Sequence, residues 1–123
     1  MREYKVVKVQ QNTSMNILYS TSTGLYLYLN GVDYMIKEGI APSSARAHQF
    51  SNEVFAVAYV DENNDSGLSY INTTTLDQTD YHFSTTFTPT EVQPWILPDG
   101  NSIFLLSIGS ENLAARWAYI DTP

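Results

Sequence analysis

Cysteine is absent from the 123 residues of this chain, which excludes disulfides and thiol chemistry. Positive charge is scarce as well. The six basic residues (Arg2, Lys5, Lys8, Lys37, Arg46, Arg116) form no cluster beyond a mild N-terminal grouping, against 13 acidic ones. At a net charge of −7 no basic surface is available to displace counterions from phosphate, so a nucleic-acid partner is not expected. An anionic membrane surface is disfavoured for the same reason. No stretch reads as a transmembrane run or as a charged-then-apolar leader, and the compartment stays open. His48 and His82 are the only histidines, too few for the usual zinc or acid–base constellation, and His82 reads as incidental on the polar face of a strand. There is no Gly-x-Ser-x-Gly elbow, and Gly24, Gly31 and Gly39 are spaced as turns rather than as a phosphate cradle. Catalysis is therefore not expected.

What the chain does have is 43% hydrophobic and 15% charged residues, the balance of a folded protein. Nine Tyr, five Phe and two Trp accompany abundant Ser and Thr, a mixture that suits pleated, half-buried surfaces. Asn12-Thr13-Ser14, Asn64-Asp65-Ser66 and Asn72-Thr73-Thr74 fit the N-glycosylation pattern, which chance supplies readily in so Ser/Thr-rich a chain.

Along the chain, Ile17–Lys37 reads as a three-stranded meander. Its middle strand, Leu25 to Leu29, alternates Leu and Tyr with period two, and Asn30-Gly31 follows as a hairpin turn. Val54 to Val60 is almost continuously apolar, as a strand covered on both faces should be. The polar loop Asp61–Gly67, with Gly67 at a left-handed position, leads to Leu68–Asn72 and then Tyr81–Thr85. Ile103–Leu106 and Arg116–Ile120 form a third group. One further short strand precedes each group, at Tyr4–Val9, Ala45–Phe50 and Val92–Leu97. The expectation is four strands, four strands, then three, in units of roughly forty to fifty residues, the period of propeller blades. Residues 1–123 thus read as a single all-β domain of about three blade-like antiparallel units, with a β-sandwich as the alternative.

Pro94-Trp95-Ile96-Leu97-Pro98-Asp99-Gly100-Asn101-Ser102-Ile103-Phe104-Leu105-Leu106-Ser107 reads as strand, Pro-Asp-Gly turn, strand. It resembles the TolB-type propeller repeat: Pro94, Pro98, Asp99, Gly100, Ile103 and Ser107 fall on matching positions. Ile96 stands where that repeat has Trp, Leu97 where it has Ser, and Leu105 where it has Phe. Ala118–Asp121 is similar to its later strand. The match covers about 30 residues of one unit, and the other units follow it weakly. The resemblance implies four-stranded blades around a channel.

A propeller must close, because an open end leaves faces and strand edges unpaired. Three units are fewer than a ring requires, so two chains completing a six-bladed ring by two-fold symmetry is the expected assembly. The last unit stops at Pro123 after its third strand, and Arg2–Val9 of a neighbouring chain is the candidate for the missing one. The initiating Met speaks for a true N-terminus, while a longer propeller continuing past Pro123 stays open.

Two groups of residues stand out as sites. Trp95, Trp117, Tyr119 and Tyr81 are aromatics with polar tips, suited to an interface or to stacking on a ligand. Tyr26 and Tyr28 share a face and are candidates for packing between blades. Asp61, Asn63 and Asp65 offer alternate oxygens that could hold calcium, although Gly67 comes one residue late and Asn72 stands where the calcium loop has its bidentate Glu. Otherwise no cofactor is implied. The functional expectation is a non-catalytic interaction module that assembles with itself, most simply as a dimer, and presents loops to a partner. A lectin-like glycan-binding protein is the alternative, and the acidic, Thr-rich, cysteine-free composition also suits a viral accessory protein.

Overall fold

A computed structural model of the protein describes residues 6–12, 16–29, 31–39, 44–49, 53–84, 89–97, 102–109 and 115–121; the side chains of 6–12, 96, 102–104 and 115–121 are outside that description. Eleven strands fall in three antiparallel meanders. The first sheet holds β1 (Val6–Asn12), β2 (Asn16–Thr21), β3 (Gly24–Leu29) and β4 (Val32–Glu38). The second holds β5 (Ser44–Gln49), β6 (Val54–Val60), β7 (Ser66–Asn72) and β8 (Gln78–Phe83). The third holds β9 (Pro89–Ile96), β10 (Ser102–Gly109) and β11 (Ala115–Asp121). Among the described residues there is no helix, and the three sheets do not close on one another.

The second sheet is the middle layer. Its first strand, β5, lies against β1 and β2, while β9 lies against β5 and β6. Period-two alternation explains why β6 is apolar throughout. Phe55, Val57 and Tyr59 join Leu18, Leu25, Leu27, Leu29 and Ile36 in a core with the first sheet. Ala56, Ala58 and Val60, on the other face, join Leu68 with Val92 and Leu105 of the third sheet. The Leu face of β3, rather than its Tyr face, therefore meets the neighbouring sheet. Tyr26 packs on the opposite side, stacked on Tyr19 with ring centroids 5.6 Å apart. Both rings are buried, and Tyr19 donates a 2.6 Å hydrogen bond to Asp33 Oδ1.

Two further expectations are corrected. The N-terminal strand is not left over for exchange: β1 pairs with β2 of its own sheet, through a ladder interrupted by two bulges. A hydrogen-bonded edge strand satisfies backbone groups that would otherwise stay open. In the 61–67 loop the left-handed residue is Asn64, at φ 62°, and Gly67 sits inside β7. Asn tolerates that conformation better than most non-glycine residues. At the β3–β4 hairpin Gly31 does take positive φ, at 82°, while Asn30 lies outside the described residues. So do the turn residues Pro98, Asp99 and Gly100.

Some polar groups in the core are paired across sheets. Ser66 and Ser107, both buried, share a short hydroxyl–hydroxyl hydrogen bond that links the second and third sheets. Ser69 Oγ and Gln78 Nε2 both reach the Ile36 carbonyl of the first sheet, the amide at 3.1 Å. Removing one member of a buried pair strands the other without solvent. Ser107→Ala is accordingly expected to cost about 1–3 kcal/mol in chemical unfolding. The double variant with Ser66→Ala should cost less than the two single losses added together. Strict additivity would show that the hydroxyls do not depend on each other.

Candidate functional site

The β6–β7 connection builds a compact polar site. Asp61, directly after β6, is buried, and its Oδ1 accepts the backbone N–H groups of Asn63 (2.9 Å) and Asp65 (3.0 Å). Its own N–H donates to the Asp65 carbonyl at 2.9 Å, and its carbonyl accepts from Asn64 N–H at 3.1 Å. Asp residues do this readily because a short carboxylate can take the place of a backbone acceptor in a turn. With Oδ1 so held, Oδ2 is left aimed toward β8. There it meets His82 Nε2 at 3.2 Å, and Asp65 Oδ2 meets the same nitrogen at 3.2 Å. The ligand atoms of Asp61, Asp65 and His82 lie within 4.8 Å of one another.

The ladder brings His82 to this place. The tight turn after β7 uses Asn72 Oδ1 to accept from Thr74 and Thr75 N–H, and so fixes the register of β8. Gly67 then pairs with His82 and Ser69 with Asp80. The histidine therefore stands beside the start of β7, where the aspartate loop ends. Of the three expected calcium ligands, Asp61 and Asp65 converge, whereas Asn63 is exposed and enters through its backbone N–H. His82, read from the sequence as incidental, completes the group. Its sequence signal was faint: it shares parity with Asp80 on the polar face of β8, and only the register places it against Asp61.

The surroundings are acidic. Lys37 on β4 reaches across from the first sheet, but to Glu62 Oε1 at 3.9 Å. The Tyr59 phenol is pushed above its ordinary pKa, first by burial and then by the negative charge of Asp80, with Asp61 and Glu62 adding to it and a hydrogen bond to Ser69 opposing. Burial also raises Tyr70, helped by Tyr81.

The expected aromatic site divides. Tyr81 and Tyr70 pack against the core between the second and third sheets. Trp95, by contrast, is 44% exposed on β9. It belongs to the face of the third sheet turned away from the second, since its neighbours Val92 and Leu105 and the Ser107 hydroxyl all face inward. In the ladder Trp95 stands opposite Phe104, and Phe104 opposite Tyr119; Leu106 stands opposite Trp117. The side chains of Trp117 and Tyr119 lie outside the described residues. Leu106 and Ile108, of the same parity as Phe104, are half-buried.

A shallow cleft of about 350 Å³ is lined by Tyr70, Asn72, Asp77, Gln78 and Thr79. An aromatic beside amides is a glycan-like arrangement, but Asn72 Oδ1 is engaged by its own turn and Gln78 Nε2 by Ile36 O and Asp80. Comparisons with models of protein families, with characterised proteins and with solved structures find no match to this chain.

Proposed function

We propose that the protein is a non-catalytic interaction module in which two chains complete a six-bladed β-propeller and present their hairpin loops to a protein partner. The observation that carries this reading is the outward face of the third sheet. The corresponding positions of the second sheet, Ala56, Ala58 and Val60, are wholly buried by the next layer. On the third sheet, Leu106 and Ile108 are only half-covered and Trp95 is exposed.

The occupant that fits is the first sheet of a second copy. Within one chain, each sheet meets the next through the even-numbered positions of β2 or β6 and the odd-numbered positions of β6 or β10. Repeating that step once more would bring Leu106 and Ile108 to another first sheet at Met35, which is 40% exposed opposite the already buried Tyr26. Two such junctions close a ring of six sheets, within the four to eight that propellers use.

Light scattering on a sizing column should give a mass twice the 13.8 kDa of one chain. Trp95→Glu places a charge in that junction and is expected to weaken the dimer at least about 30-fold, as loss of an interface hot spot does. The variant should keep its far-ultraviolet circular dichroism. A well-folded wild-type monomer across concentrations would overturn the ring.

A further inference from the structure

We propose that Asp61, Asp65 and His82 form a binding site for one small divalent transition-metal ion of the zinc type, which fastens the β6–β7 loop to β8. A tetrahedral centre with bonds of about 2.0–2.1 Å places its ligand atoms about 3.3 Å apart. Both carboxylate-to-imidazole separations are 3.2 Å, close to two edges of such a tetrahedron, and the two carboxylates lie within 4.8 Å of each other.

The charges call for a cation. Two carboxylates, one of them buried, converge on a single ring nitrogen that carries at most one proton. Lys37, which reaches this loop from β4, is directed to Glu62 instead. A dication would balance both aspartates while the imidazole stayed neutral. Asp61 needs no reorganisation for this, because two backbone N–H groups already hold its other oxygen. His82 is 57% exposed at its side chain, so an ion can arrive from solvent and keep water in a fourth position. The donor set selects the metal. Calcium takes six to eight oxygens at longer distances, whereas an imidazole with two carboxylates suits zinc, cobalt or nickel.

The test uses the whole chain, stripped with chelator and titrated calorimetrically with zinc chloride. One ion should bind per chain, and calcium chloride in large excess should not compete. Cobalt(II) chloride should produce the strong visible bands of a tetrahedral site. His82→Ala, a change at an exposed position, is expected to weaken zinc binding at least about 100-fold, while His48→Ala leaves it unchanged. Asp61→Asn should also lose binding, with circular dichroism verifying that the loop's anchor has not cost the fold. Zinc binding of equal strength in wild type and His82→Ala, or none in wild type, would overturn the site and leave only a histidine–aspartate contact in its place. The mass measurement above is independent of this result.

Discussion

Phe55→Ala is expected to remove about 3–5 kcal/mol of folding stability, as truncating a fully enclosed aromatic does. Phe55 is 1% exposed and stands on an inner strand of the middle sheet, on the face turned to the first sheet. Its cluster draws Leu18, Leu25, Leu27, Leu29 and Ile36 from the first sheet, with Ala45, Val57, Tyr59 and Ile71 of the second, so the ring belongs to the layer that joins the two. Small domains have only about 5–15 kcal/mol in hand, and this one change would consume a large share. Urea unfolding of wild type and variant measures it directly. Phe55→Leu keeps most of the volume and should lose clearly less. A loss below about 1 kcal/mol for alanine would mean that the first and second sheets are not held together by this layer.

The same strand shows what can be read from a chain without its structure. Val54 to Val60 is apolar at every position, and a strand has only two faces, so both had to be covered; the two clusters on either side of β6 are that statement in three dimensions. Strand positions followed from period two and turn residues, because both are local. Which face of a strand meets which neighbour is not local. The alternation of Leu and Tyr in β3 marks two faces, but choosing the Leu face for the sheet–sheet core depended on where the second sheet lies. For the same reason Asp61 and Asp65 could be singled out from their own loop, whereas His82 could not be added. It arrives through the β7–β8 register, set by a turn around Asn72 that binds no part of the site. Asn64 displaced Gly67 from the left-handed position because Gly67 was needed elsewhere: a strand position opposite Tyr59 where a side chain has no room.

Gly67 and a second glycine, Gly24, lend themselves to a paired experiment. A Cβ on Gly67 would lie 2.4 Å from two ring carbons of Tyr59, and a Cβ on Gly24 would lie 2.3 Å from the Lys37 carbonyl oxygen. The distances are nearly equal, but the obstacles differ. Tyr59 can swing, at the expense of its packing in the core with the first sheet. The Lys37 carbonyl is part of the β3–β4 ladder, at the end where Gly24 pairs with Glu38, and Gly39 N–H donates to Thr23 O at 2.9 Å just beyond. It has no freedom that does not break backbone bonds. Gly67→Ala is therefore expected to cost about 2 kcal/mol, in the range of overpacked cores, and Gly24→Ala about 3 kcal/mol or more. The two separate in double-variant cycles read by urea unfolding. In a Tyr59→Ala background, Gly67→Ala should cost almost nothing, because the ring that obstructs it has gone. Gly24→Ala should cost the same in a Lys37→Ala background as in wild type, since alanine keeps the carbonyl where it was. Relief of Gly24→Ala by Lys37→Ala would place the conflict in the lysine side chain, and the close approach of β3 to β4 at that end would not be what requires glycine.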